Sequence, residues 1–156
     1  MAEGRDYSVG GYIARPLEAA TTLLTDGLVL EIDASGDCIL ATNTGRVYGV
    51  ANRSTQNKVS RIVGLTTFDT GALKTGGISV LKSGIVELQL GSTNLAIKVG
   101  DRIVVHADDD GTVNGAVDEA TVADKYLTVG YAESVVAVNA GGVVLVNLTI
   151  ALGGAP

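Results

Sequence analysis

His106 is the only histidine in this chain of 156 residues, and Asp108, Asp109 and Asp110 follow it in "GDRIVVHADDDG", Gly100 to Gly111. An imidazole beside three carboxylates has the composition of a metal site or an acid/base pair, and spacing decides between those chemistries. A calcium loop of the D-x-[DN]-x-[DN]-G type, read back from Gly111, would put Asp110, Asp108 and His106 in the ligand positions and Val117 where the closing glutamate belongs. Imidazole is a poor ligand for a hard cation, and the bidentate carboxylate is missing. Zinc wants several His or Cys ligands, and the chain offers His106 and Cys38. A hydrolytic triad would need a G-x-S-x-G elbow, which is absent. Cys38 in "DCILA" has only His106 as an activating base, and nothing in the spacing favours that pair. "GALKTGG", Gly71 to Gly77, has phosphate-loop residue types without the G-x-x-x-x-G-K-[ST] order or a strong following helix. The reading is therefore no catalytic residue, no cofactor-binding residue and no metal ligand. The Asp-rich stretch is expected to be a turn ending in glycine.

Turns need strands to join, and the composition supplies them. Hydrophobic residues make up 46% of the chain, enough for a buried core, and there are 21 Gly against 2 Pro. Glycines set between short Val/Ile/Leu runs indicate many strands joined by many turns. The formal net charge of -6 opposes binding to phosphate backbones, and the five Tyr are not interleaved with Lys and Arg as a stacking platform requires. Direct nucleic-acid binding is therefore not expected. A single Cys excludes an intrachain disulfide framework. No apolar run approaches the roughly 18 residues of a membrane span, and "MAEGRDYSVGG" has no apolar signal core. No membrane partner is expected, and the sequons at Asn52 and Asn147 are expected to be unmodified.

Strand periodicity runs through most of the chain after residue 26. "LVLEID" alternates Leu28, Leu30 and Ile32 against Val29, Glu31 and Asp33. "GIVELQL" sets Val86, Leu88 and Leu90 against Ile85, Glu87 and Gln89, and "VVLVNLTI" sets Val144, Val146, Leu148 and Ile150 against Val143, Leu145, Asn147 and Thr149. Such alternation fits sheets with one face on a core and the other wetter. "CILA", "RVYGVA", "RIVGLTT", "GISVLK", "RIVVHA" and "YLTVGYA" are further strands. Helix is scarce: "VDEATVADK" suits about one turn, and "LEAATTLL" fits a short helix or an extended segment equally. The fold class is mainly β, a compact antiparallel β-barrel or β-sandwich-like domain with short strands, little helix and an extended N-terminal arm. The arm is expected over residues 1–16 and the single β domain over 17–156.

The Asp-rich stretch has an earlier counterpart. Laying "DGLVLEIDASGDC" from Asp26 over "DRIVVHADDDGTV" from Asp101 matches Asp26 with Asp101, Asp33 with Asp108 and Gly36 with Gly111. A Gly-Ala strand follows each, with Gly49 and Ala51 matching Gly130 and Ala132. The chain thus uses a strand–turn–strand–loop–strand unit twice, at 26–54 and 101–134, with "GISVLKSGIVELQL" between. In this alignment His106 lies over Glu31, on the wetter face of a strand.

From Gly84 onward the chain resembles the small β-rich capsid decoration (cement) proteins of tailed viruses with HK97-type shells. The motifs are "GIVELQL", a spacer ending "IKVGD", the strand and Asp-Gly turn of "RIVVHADDDGTV", then "LTVGYAES" and the Val-rich "GGVVLVNLTI". Residues 26–54 carry a looser version of the same turn, and the acidic insertion at Val117 to Lys125 departs from the pattern. The resemblance implies a non-enzymatic structural protein on the exterior of the virion, made in the host cytoplasm. It would bind the outside of an expanded shell, often as a homotrimer, and hold neighbouring capsomers together against internal DNA pressure. Its partners would be the major capsid protein and further copies of itself. Arg5, Tyr7, Tyr12 and Arg15 in the Gly-rich arm would be the capsid contacts, because such a segment can fold onto an exposed sheet edge and Tyr and Arg are enriched at interface hot spots. Rival readings are a surface-displayed carbohydrate- or receptor-binding module, disfavoured by the lack of Trp, a tail-tube or baseplate β-protein, and a small enzyme built on His106.

Overall fold

Ten short strands carry residues 12–18, 27–52, 78–116 and 127–150, the parts of the chain that the computed structural model describes. They are β1 (Tyr12–Arg15), β2 (Val29–Ile32), β3 (Cys38–Leu40), β4 (Gly49–Asn52), β5 (Ile78–Leu81), β6 (Gly84–Gln89), β7 (Arg102–Val105), β8 (Val113–Gly115), β9 (Thr128–Ala132) and β10 (Val143–Leu148). The fold is mainly β, with two antiparallel five-stranded sheets in sandwich-like packing. Their strand orders are β1-β5-β4-β2-β3 and β6-β10-β9-β7-β8, so adding five to each label of the first yields the second.

Each sheet curls back on itself. A parallel bridge from Leu17 to Cys38 joins the segment after β1 to β3, and one from Leu90 to Val113 joins the segment after β6 to β8. One bridge does not close a barrel, but it leaves each unit with an inner and an outer face. The inner face of the first unit holds Leu17, Leu28, Leu30, Cys38, Ala51, Ile78 and Val80. The alternation expected for β6 and β10 holds: Leu88, Val144 and Val146 are fully buried, while Ile85, Val143 and Leu145 face outward. Each fully buried Leu, Val or Ile contributes about 1.5–3 kcal/mol relative to exposure.

β2 departs from simple alternation because both of its faces are covered. Leu28 and Leu30 point into the first unit. Val29 points out, and with Ala41, Val47 and Val50 it joins one continuous core with Leu88, Val129 and Leu148 of the second unit. The second unit therefore sits on the outer face of the first.

The duplication is larger than the sequence alignment indicates. "GISVLKSGIVELQL" does not lie between two units: its first half is β5, which completes the first, and its second half is β6, which opens the second. The last residues of the expected arm belong to a sheet. Tyr12–Arg15 pair with Leu81–Ile78 and form β1. A strand this short, beside so many glycines, has no legible period of its own. "RIVGLTT" and "VDEATVADK" lie outside the described residues, as does "LEAATTLL" beyond Glu18.

Strand pairing corrects the alignment itself. Leu30 pairs with Gly49 as Ile103 pairs with Gly130, so Leu30 corresponds to Ile103 rather than to Val105. The hairpin loop covers residues 33–37 in the first unit and 106–112 in the second, two residues longer. The match recovers at Cys38 and Val113, which take the same bridge. A slip of two residues keeps every side chain on its original face, which is why the sequence pattern did not expose it.

Candidate functional site

The corrected register moves His106 from Glu31 to Asp33, the residue that opens the hairpin turn, and changes its environment. His106 is buried, only 8% exposed, and does not sit on a wet strand face. Its ring covers Gly91, where a Cβ would overlap the imidazole. In the first unit Asp33 Oδ1 accepts the backbone N–H groups of Ser35 and Asp37 at 2.8 and 2.9 Å. In the second, His106 Nδ1 accepts the N–H of Asp108 at 3.0 Å. An imidazole nitrogen thus stands where the first unit has a carboxylate as the acceptor that shapes the turn, with Nε2 3.4 Å from Thr93 Oγ1. Nδ1 is also 3.2 Å from Asp108 Oδ2. That contact requires a proton on Nδ1 and so excludes the bond from the Asp108 N–H.

The three aspartates are each held by other groups. Asp108 accepts the N–H and the hydroxyl of Ser92 at 2.8 and 3.1 Å. Asp109 adopts φ 56° and accepts the N–H of Asn43, in the first unit, at 2.7 Å. Asp110 accepts the N–H and hydroxyl of Thr112. Among the described residues, no three of His, Cys, Asp and Glu are grouped to hold a metal ion. The turn instead joins the two units. Val29 N–H donates to Gly111 O at 2.8 Å, and Gly111 N–H donates to Ala41 O at 3.1 Å.

The bonds from the Ser92 N–H and hydroxyl hold the Asp108 carboxyl below its ordinary value. A depressed carboxyl stabilises the fold above its unfolded value, and that contribution disappears as pH falls through the folded value. Asp108→Asn is therefore expected to lose its stability deficit against the parent protein as pH is lowered from 6 to about 2, read by denaturant midpoints across that range. A deficit constant with pH would contradict the assignment.

Cys38 lies inside the first unit, fully buried. Burial, partly offset by Arg15, pushes its thiol up to about 11. A raised thiol adds stability below its unfolded value near 9, which is lost as pH rises through 11. Because the thiolate is the nucleophile, iodoacetamide at pH 8 is expected to leave the native protein unmodified over hours and to label it within minutes in guanidinium. Fast labelling of the native protein would show an open first unit.

A second polar node holds the loops of the second unit. Asn94 is buried; its Nδ2 donates to Leu95 O and Ala137 O at 2.7 and 2.8 Å, and its Oδ1 accepts from Gly141 N at 3.0 Å. It was not singled out in the sequence, since one Asn in a loop carries no pattern.

Of the expected contact residues, Arg5 and Tyr7 lie outside the described residues. The Tyr12 backbone pairs with Leu81 in β1. Arg15 is half-buried and turned onto its own unit, its Nη2 donating to Gly36 O at 2.8 Å.

One sheet face carries four large exposed apolar side chains among polar neighbours. Across β6, β10 and β9, Ile85 and Tyr131 both pair with Asn147, Leu145 pairs with Glu87, and Val143 pairs with Gln89. Ile85 is 59% exposed, Tyr131 44%, Val143 41% and Leu145 37%. Glu133 adjoins Leu145, donating its N–H to the Leu145 carbonyl. The face is rigid, because the same strands bury Leu88, Val144 and Val146 behind it. No protein-family model and no curated protein matches the chain.

Proposed function

We propose that this chain is a structural, non-catalytic protein of a tailed virus. It binds the outer surface of an expanded capsid and cements neighbouring capsomers. The carrying observation is the outward face of β6–β10–β9, where Ile85, Tyr131, Val143 and Leu145 stand exposed on strands fixed by a buried core. Large apolar side chains held out in water on one sheet face, rimmed by Glu87, Gln89, Glu133 and Asn147, are the composition of an interaction site. The resemblance of the second unit to decoration proteins supplies the identity of the partner, the major capsid protein, and the expectation of a homotrimer on the virion exterior. The hydrogen bonding of His106 and the three aspartates within the inter-unit turn supports a non-enzymatic role.

Each copy would bridge several capsomers, so modest contacts combine into slow release. The test adds purified protein to expanded capsids that lack it and measures co-sedimentation and resistance to heat and osmotic shock. Binding with a gain in resistance is expected; no co-sedimentation and no gain would overturn the reading. A chain beginning at Tyr12 separates the arm from the fold, since it keeps β1 intact. Glycan binding by the isolated protein with no affinity for capsids would favour a receptor-binding module.

A further inference from the structure

The two units have the same strand order, yet their corresponding ends carry different chemistry. Pairing Ala51 with Val80 in the first unit and Ala132 with Val146 in the second aligns the strands. It follows that Ile78 corresponds to Val144, Arg15 to Leu88 and Lys82 to Leu148. Tyr48 precedes Gly49 as Val129 precedes Gly130. In the second unit Leu88, Val129 and Leu148 are 0%, 0% and 6% exposed, within the core shared with the first unit. In the first unit the same positions are Arg15, Tyr48 and Lys82. Lys82 Nζ stands 3.7 Å from the centre of the Tyr48 ring, and the Arg15 guanidinium carbon 5.6 Å.

These two cations have no carboxylate partner among the described residues. Arg15 Nε is buried and makes no hydrogen bond. Its neighbour there is the Cys38 thiol, a weak acceptor. A buried donor without a strong acceptor gains from an added anion. Burial also pulls the Lys82 amine below its usual value, so the charged form gains from an added anion.

We propose that the Arg15–Tyr48–Lys82 end of the first unit is a binding site for aspartate or glutamate side chains of a partner protein. The position is one the fold already uses for contact, since its counterpart in the second unit is the end that packs on the first. The chemistry is cationic where that counterpart is apolar. A second copy of this chain is a poor occupant of the same joint. The receiving face of the first unit is Val29, Ala41, Val47 and Val50; its counterpart in the second is Arg102, Ala116, Thr128 and Tyr131. That face offers Arg15 and Lys82 no carboxylate. The partner is therefore a different, acidic surface. This inference does not depend on which assembly the chain joins.

The experiment titrates the full ¹⁵N-labelled chain with hexa-aspartate at constant ionic strength and follows the Arg15 Nε–H cross-peak and the Tyr48 ring. Saturable shifts confined to this end are expected, with at least fivefold weaker binding in Lys82→Met at an unchanged melting temperature. Arg15→Met should also lose binding; because it removes the bond to Gly36, Lys82→Met is the deciding variant. Equal shifts with chloride would reduce the effect to screening, and tighter binding of inorganic phosphate would reassign the site to phosphate-type anions. Either result, no shift at all, or undiminished binding in Lys82→Met overturns the proposal.

Discussion

Gly111→Ala is expected to destabilise the protein by roughly 3 kcal/mol or more, lowering the melting temperature by about 6–12 °C. Gly111 has φ 79°, a left-handed conformation that costs a side-chain-bearing residue about 1–2 kcal/mol. Its added Cβ would lie 2.7 Å from the carbonyl oxygen and 3.3 Å from the nitrogen of Val29, and 3.1 Å from Leu40 Cδ2. Two of these three are backbone atoms that cannot step aside. The turn would have to lift off the first unit, taking with it the bonds to Val29, Ala41 and Asn43. Gly36, matched to Gly111 in the first unit, provides the control. It has φ 90°, but its Cβ would meet only Arg15 Nη2, at 3.9 Å. Gly36→Ala should therefore cost only the conformational part, about 1–2 kcal/mol. The difference between the two variants measures what contact between the units contributes. Equal melting temperatures for the two would show that the turn does not join the units.

Under the proposed function, the double variant Tyr131→Asp, Leu145→Asp is expected to weaken capsid binding by at least about a hundredfold while the free protein still folds cooperatively. Both side chains point outward, and substitutions on an outer face change stability little. Leu145 is flanked by Glu87 and Glu133, so an aspartate there places three carboxylates in a row and imposes a desolvation cost on any apolar partner. Each truncation of a central interface residue costs about 2 kcal/mol or more, and two such losses amount to at least a hundredfold in affinity. Quantitative co-sedimentation at several salt concentrations, alongside calorimetry of the free protein, reads both. Unchanged binding by a folded double variant would remove this face from the interface and leave the proposed function without its principal support.

Much of this architecture is legible in the sequence. Period-two alternation identified β6 and β10 and assigned their faces, because a sheet with one face on the core imposes that pattern on every residue. The Gly-Ala strands and the repeated Asp–Gly turn revealed the duplication, since turn geometry restricts residue type more tightly than strand geometry does. The two-residue slip passed unseen for the same reason: parity survives it. Tyr12–Arg15 were read as arm because four residues are too few to show a period, and they become a strand only by pairing with β5.

What the sequence by itself determined is the strand-and-turn vocabulary, the mainly β class and the repetition of one unit. Those depend on local backbone preference and on which side chains avoid water. Only the tertiary structure decided that Val29 is covered on the side away from Leu30, that His106 is a turn acceptor in the place of Asp33, and that Arg15, Tyr48 and Lys82 share one end. Each depends on groups brought together from distant parts of the chain, and the hydrogen bonds and packing that set their roles exist only once the two units have met.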